Sequence, residues 1–181
     1  IRALEPSHDK AYSLINIGLG YDDLRSRLPD SKDSLLLLAH EILSEAGTLA
    51  DNLGDRRTSS YAWGSLGKLY EDERRYEEAL QLTRRATFAA QQINAPESLY
   101  RWEWQTGRLL TKTGSIDDAI GAYRRAVRTL QSIRPELSAS YGGRLTSFRE
   151  TMGPVYFELV IFSCIGMQAA TIAGVIAAVR L

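Results

Sequence analysis

The stretch YAWGSLGKLYEDERRYEEAL, residues 61–80, has the charged and aliphatic composition of a helix but contains two glycines. A glycine inside a helix costs about 1 kcal/mol relative to alanine. Gly64 and Gly67 therefore indicate places where a side chain would be in the way. We expect Gly67 to let a partner helix approach closely. We expect Gly64 to lie on an inner face, where the missing side chain widens a groove.

The spacing of large and small residues around Gly67 recurs along the chain with a period of 40 residues. The middle copy consists of Trp63, Leu66, Gly67, Tyr70, Ala79, Leu80 and Ala86. The third copy has, at the same offsets, Gly107, Leu110, Ala119, Ile120, Ala126 and, in place of Thr83, Tyr123. The first copy has, with nine extra residues between its halves, Leu14, Ile17, Gly18, Tyr21, Ala39, Leu43 and Ala46. Self-similarity at a fixed period is typical of helical repeat proteins.

Capping signals agree with this repeat. Asp55 stands where an N-cap is needed, Pro96 falls near a first helical position, and Gly114 followed by Ser115 predicts a helix end and a new start. We interpret DDLRSRLPDSKDS, which holds the extra residues, as a lengthened polar turn. The predicted helices are 7–23, 34–53, 56–72, 75–93, 96–113 and 116–133, with another from about Ser147. Residues 1–134 would form three helical pairs, and residues 135–181 a loop and C-terminal capping helices.

The pattern W-x2-L-G-x2-Y followed by A-x3-F-x2-A resembles the tetratricopeptide (TPR) repeat. Longer phrases, among them GAYRRAVRTLQSIRPELS and SFRETMGPVYFELV, are similar to the TPR region that precedes the caspase-like CHAT domain in large bacterial proteins. This resemblance covers roughly residues 11–160. It implies an all-α, right-handed superhelix of antiparallel helix pairs. His8, His40 and Cys164 do not match the catalytic dyad of the CHAT domain, so the resemblance does not carry the peptidase activity over.

The resemblance also implies residue roles. Packing between helices is assigned to Gly18, Trp63, Gly67, Tyr70, Ala79, Ala86, Gly107, Ala119 and Ala126. The first helix of each pair lines a concave groove, where the candidate partner-binding residues are Tyr12, Tyr61, Lys68, Arg101, Trp104, Arg108 and Lys112. The third copy places three cations and an indole on one face, which suits an acidic or aromatic peptide. The alternative is a solvated charged face with Trp104 packed against a neighbouring helix, whereas Trp102 is expected to pack between helices.

One known TPR specificity is disfavoured. The clamp that holds the acidic C-termini of heat-shock chaperones needs Lys, Asn, Asn, Lys and Arg. The corresponding positions here are Ile15, Leu19, Ser65, Arg101 and Gln105, of which only Arg101 is chemically close. A chaperone co-factor role is therefore disfavoured, and the expected partner is another protein or peptide, for which an acidic peptide is one candidate.

Composition and motifs argue against other classes of function. The 22 basic and 22 acidic side chains balance, whereas a general nucleic-acid binder carries a basic excess. His40-Glu41 begins like a zinc-protease motif, but Ser44 stands where its second histidine would be. Gly67-Lys68 lacks the Ser or Thr of a phosphate-binding loop. We therefore expect a cytoplasmic, non-catalytic interaction module without cofactor or metal.

The last part of the sequence has a different composition. Residues 159–179 contain no charged side chain, and Gly166, Ala170, Gly174 and Ala178 form a stripe of small residues. A helix of this length could cross a bilayer, which takes about 20 apolar residues. Repeat arrays also need a closing helix over their last apolar face. We favour the closing helix, and keep as the alternative a membrane-anchored TPR protein with 159–179 as its transmembrane helix.

Overall fold

Helices make up the computed structural model, which describes residues 5–133 and 153–161. Six α-helices follow one another: α1 (His8–Arg27), α2 (Lys32–Asn52), α3 (Arg56–Asp72), α4 (Tyr76–Gln92), α5 (Pro96–Lys112) and α6 (Ile116–Ser132). A further helix, α7, spans residues 153–161. No β-strand occurs within the described ranges. The prediction of an all-α chain is confirmed.

Four turns between these helices share one backbone conformation. Each contains one residue with positive φ, and these residues lie 20 positions apart: Gly54 (69°), Arg74 (61°), Asn94 (49°) and Gly114 (85°). The same two hydrogen bonds close each turn, as where the Gly54 and Asp55 amides donate to the Asp51 and Ala50 carbonyls at 3.1 and 2.9 Å. This pair of bonds is the Schellman motif that ends many helices. The helices α3, α4, α5 and α6 have 17 residues each and are joined by identical turns, which explains why the pair α5–α6 follows the pair α3–α4 after 40 residues.

The connection from α1 to α2 is shorter than the sequence predicts. The segment interpreted as a lengthened turn is mostly helical, because α1 continues to Arg27 and α2 begins at Lys32. Only Leu28 and a single 3-10 turn, Pro29–Ser31, lie between them. The last turns of α1 contain two ion pairs of one arginine. Arg25, whose side chain is 10% exposed, lies 2.9 Å from Asp22 and also pairs with Glu73 of α3.

Contacts between residues divide the chain into two units, residues 1–102 and 103–181. In the first unit α1 packs on α2, α2 on α3, and α3 on α4. Consecutive helices run antiparallel because each is joined to the next by a short turn. The core of this unit is a single cluster that includes Leu14, Leu43, Ala46, Ala62, Trp63, Leu66, Leu69, Ala86 and Trp102.

The second unit contains the C-terminal part of α5, together with α6 and α7. Its fully buried side chains include Leu109, Ala119, Ala122, Tyr123, Ala126, Leu130 and Val155. Tyr123 is the largest of them, and it lies at the centre of the contact described next.

Candidate protein-interaction surfaces

The first and second helices of a pair touch where the first helix has a glycine. A Cβ atom on Gly107 would lie 2.8 Å from the ring of Tyr123, and one on Gly18 would lie 2.7 Å from Cγ of Leu43. Real Cβ atoms do not approach other atoms so closely. The two contacts occupy equivalent positions of the third and first copies of the repeat. The repeat that the sequence shows therefore corresponds to a repeated contact in three dimensions.

The middle pair has the same arrangement of small buried residues. Gly67 of α3 is buried, and Thr83, at the position of Tyr123, is completely buried in α4. The alanines that the sequence assigns to the second helices are each 0% exposed: Ala79, Ala86, Ala119 and Ala126. All these predicted packing residues lie in the interior of their units.

Gly64 does not widen a groove, contrary to the sequence-based expectation. A Cβ atom there would lie 2.4 Å from the ring of Trp102, so the indole fills the space that the missing side chain leaves. The indole N–H of Trp102 donates to Oγ of Ser60 at 2.9 Å, and the ring of Tyr61 meets it edge-on. Trp102 is 6% exposed and packs between helices as predicted. The large partner is 38 residues away in the sequence, which is why Gly64 alone did not reveal it.

Trp63 packs in a similar way against Gly47 of α2, where a Cβ would lie 2.6 Å from the indole. The Trp63 N–H donates to Asp51 at 3.0 Å. The Arg85 guanidinium lies 3.7 Å from the centre of the ring and also donates to Asp51, at 2.9 Å. Asp51 thus ties the end of α2 to α3 and α4. Sequence analysis assigned no role to this carboxylate.

Tyr70 lies at the edge of a cleft of about 350 Å³ between α2 and α3. Its hydroxyl is 3.3 Å from Nδ1 of His40, and the Arg75 guanidinium lies 4.4 Å from its ring centre. Leu36, Leu37 and Leu69 form the apolar walls. The charges at the rim are already compensated, because Glu73 pairs with Arg25 and Arg75 pairs with Glu78.

The first unit contains four of the predicted partner-binding residues. Tyr12 is 53% exposed, and its ring stacks on that of His8. Lys68 is exposed and pairs with Asp72 one turn later. Arg101 is exposed, and among the described residues it forms no ion pair with a carboxylate. Tyr61 is half-buried, and its pKa is raised by that burial, although the nearby positive charge of Arg101 opposes the shift.

The second unit contains the other three predicted partner-binding residues, Trp104, Arg108 and Lys112. Lys112 is exposed, whereas Trp104 and Arg108 are half-buried. The guanidinium of Arg108 lies 4.7 Å from the centre of the Trp104 ring, within cation–π range. The Trp104 N–H donates to Oε2 of Glu158 in α7 at 2.7 Å. Trp104 therefore packs against a neighbouring helix of its own unit, the alternative arrangement considered from the sequence, and it meets a carboxylate there.

Tyr123 lies between these charges. Its pKa is raised, first by burial and then by the negative charge of Glu158, while Arg108 acts in the opposite direction. Val155, one turn before Glu158, is completely buried. In contrast, α7 exposes Phe157 (66%) and Val160 (61%) on another face.

A buried carboxylate is another feature that sequence analysis missed. Glu103 stands 40 residues after Trp63 and is 5% exposed. Burial raises its pKa, although Oγ1 of Thr129 donates to it at 2.7 Å and Arg125 lies 3.8 Å away. Arg125 is the repeat equivalent of Arg85, so in both copies an arginine of the second helix covers the same position of the first helix.

His8 and Asp55 form, within residues 5–133 and 153–161, a His–Asp pair of the kind that catalytic sites use. Asp55 is the N-cap of α3 and accepts the Thr58 amide at 3.0 Å. Burial would raise the pKa of Asp55, but the hydrogen bonds from Thr58 and His8 outweigh it, so the pKa is lowered. Thr58 Oγ1 lies 3.3 Å from His8 Nδ1, the nitrogen that also contacts Asp55. The interactions shown here fasten α1 to the cap of α3.

Metal and membrane sites can be assessed only where the structure describes the chain. No group of three His, Cys, Asp or Glu side chains within that part is arranged to hold a metal ion. None of its helices combines the length and the apolar character needed to cross a bilayer. Cys164 and all but the first three positions of 159–179 lie outside the described residues. So do the loop predicted after α6 and the helix start predicted at Ser147.

A comparison of the chain with protein-family models gives no match, and a comparison with curated proteins gives none either.

Proposed function

We propose that the chain is a non-catalytic protein–protein interaction module built from TPR-type repeats. The support is the recurrence of one contact, glycine of the first helix against a large residue of the second, in Gly18–Leu43 and Gly107–Tyr123. The turns with positive φ at 20-residue spacing are further support. The proposal includes the resemblance to the bacterial TPR region that precedes CHAT domains, and a cytoplasmic location.

The observation that carries the binding proposal is the exposed position of the Arg101 side chain. This exposed cation has no carboxylate partner among the described residues, and it is close enough to Tyr61 to oppose the rise in the tyrosine pKa that burial causes. A guanidinium can bind a carboxylate through two parallel hydrogen bonds, and a neighbouring aromatic ring adds apolar contact. The partner proposed is therefore an acidic segment of a protein, with Tyr61 and Tyr12 as aromatic contacts. Neither nucleic acid, membrane nor cofactor is part of this proposal.

An array of acidic and charge-neutral peptides, probed with the full chain, tests the proposal. The strongest acidic ligand is then measured by calorimetry against Arg101→Ala and Arg84→Ala. Arg84 is an exposed arginine on α4 and is the matched control, because it removes the same charge elsewhere. We expect Arg101→Ala to weaken binding by about 2 kcal/mol, as for a central interface residue. Equal losses in the two variants would show that only net charge matters, and no acidic ligand in the array would refute the binding proposal.

A further inference from the structure

Trp104, Arg108 and Tyr123 form what we call the Trp104 surface of the second unit. The carboxylate of Glu158, from α7 of the same chain, lies against this surface. Glu158 accepts the indole N–H at 2.7 Å, and the Arg108 guanidinium lies 4.7 Å from the ring centre. Next to burial, the negative charge of Glu158 also raises the pKa of the Tyr123 hydroxyl. A carboxylate is thus recognised here by an indole donor, with a guanidinium and a phenol nearby.

The carboxylate is presented by a helix, and only one face of that helix takes part. Val155 is 0% exposed and Glu158 lies one turn further on, whereas Phe157 and Val160 are exposed. Residues three positions apart lie on the same face of a helix. The face of α7 that meets Trp104 therefore carries an aliphatic side chain at position i and a carboxylate at i+3, which is the form in which grooves bind amphipathic helices.

We infer that α7 is a resident ligand of the Trp104 surface, and that the partner of this surface is an amphipathic helix with an aliphatic residue and a glutamate at i and i+3. Such a partner competes with α7 for the same indole donor. The inference rests on the proposed interaction function, and it names both the partner's chemistry and a self-occupied state that limits its binding. An internal ligand is present at high effective concentration, so an external helix of the same affinity binds only weakly until α7 is released.

The probe is a hydrocarbon-stapled peptide of residues 153–161. The staple joins positions 157 and 161, whose side chains face away from the surface, and it supplies the helicity that nine residues lack alone. A second peptide with Gln in place of Glu158 is the control ligand. Fluorescence anisotropy measures both against the full chain and three variants: Glu158→Gln, Glu158→Gln with Trp104→Phe, and Glu77→Gln.

Each variant has one purpose. Glu158→Gln keeps the shape of α7 but weakens its hold on the indole. Trp104→Phe keeps an aromatic ring and removes the N–H donor. Glu77 is an exposed carboxylate on α4, so Glu77→Gln controls for the loss of one negative charge. A hydrogen bond to a charged group corresponds to about tenfold or more in affinity.

We expect the stapled peptide to bind Glu158→Gln about tenfold more tightly than it binds the unaltered chain or Glu77→Gln. This tenfold gain in affinity should be absent when the protein carries both Glu158→Gln and Trp104→Phe. It should also be absent when the control peptide, with Gln in place of Glu158, replaces the stapled peptide. Equal affinity for the unaltered chain and Glu158→Gln would overturn the inference, as would a gain that survives Trp104→Phe or the absence of binding to all variants. The outcome is separate from that of the acidic array, because the probe comes from α7 and the array variant alters Arg101 of the other unit.

Discussion

Among the described glycines of the second unit, Gly107 is the one where an added side chain would come closest to a neighbouring residue. A Cβ atom there would lie 2.8 Å from the ring of Tyr123, which is 0% exposed. We therefore expect Gly107→Ala to lower the free energy of unfolding by about 1–3 kcal/mol, the usual cost of overpacking. Urea denaturation measures the change.

Gly121 of α6 provides the matched control. A Cβ atom there would meet only the end of the Arg125 side chain, at 3.6 Å. Gly121→Ala should leave stability unchanged or raise it by up to about 1 kcal/mol, because alanine is the better helix former. If both alanine variants are equally stable, the added methyl group at position 107 fits beside Tyr123, and the close approach of the two helices does not require a glycine there.

Glu103 predicts a pH dependence of stability. Its pKa is raised by burial in the folded chain, whereas an unfolded chain has the ordinary glutamate pKa of about 4.3. The folded state therefore binds the proton more tightly. The resulting stabilisation is complete below the unfolded pKa and is lost as pH rises through the folded pKa.

Glu103→Gln should remove this decline and keep an oxygen that accepts from Thr129. We expect the variant to be at least as stable as the unaltered chain at pH 7, and the difference between them to shrink toward pH 4. Urea denaturation across this range gives the comparison, with the exposed Glu77→Gln as the control. A difference that is constant with pH would show that Glu103 titrates normally.

Gly64 shows where sequence reasoning at single residues stops. Its helical context and its missing side chain are visible in the sequence, and they predicted a widened groove, whereas the indole of Trp102 fills the space. Which side chain fills it depends on how α5 packs, because Trp102 is 38 positions away. The same holds for Trp104, whose contact with Glu158 spans 54 residues.

The turns between helices give a prediction at the scale of the element. Arg74 has φ 61° in a turn where Gly54 and Gly114 occupy the equivalent places. A left-handed backbone costs a residue with a Cβ atom about 1–2 kcal/mol, and glycine avoids that cost. Since Arg74 is exposed and forms no ion pair among the described residues, Arg74→Gly should raise the melting temperature.

Arg84→Gly tests the same exchange in the interior of α4. There a glycine should lower stability by about 1 kcal/mol, because it adds freedom to the unfolded chain. Opposite signs in two Arg→Gly variants, measured by thermal denaturation, would establish the shared turn conformation. A decrease in both would contradict it.

Helices were the part of the fold most open to prediction from sequence. Five predicted helices match α2–α6 to within two residues at each end, because capping residues such as Asp55 and Pro96 mark the starts. The predicted end of α1, at residue 23, was wrong by four residues, because the helix ends at Arg27. The added turn contains Arg25, which pairs with Asp22 of α1 and with Glu73 of α3. The second of these pairs joins residues 48 positions apart, so the local sequence gives no signal of it.

At the scale of the whole molecule, periodicity in the sequence led to the helix pairs because the first and third copies use the same contact, Gly18 with Leu43 and Gly107 with Tyr123. The sequence did not predict which surface cations form ion pairs. Lys68 and Arg101 are both cations on first helices, yet Lys68 is paired with Asp72 and Arg101 has no carboxylate partner in the described part of the chain. Composition alone does not distinguish the two.

The apolar segment that follows α7 gives the last prediction. Phe157, Val160 and Ile161 are 66%, 61% and 37% exposed at the point where the uncharged run begins. Burying a large apolar side chain completely stabilises a fold by about 1.5–3 kcal/mol. We expect residues 162–181 to cover this surface, so that their deletion lowers the melting temperature by several degrees while the full chain stays monodisperse without detergent. Thermal denaturation and sedimentation with lipid vesicles distinguish this from the membrane-anchored alternative. A full chain that moves to the vesicles, with a truncated form that is soluble and equally stable, would establish the membrane anchor instead.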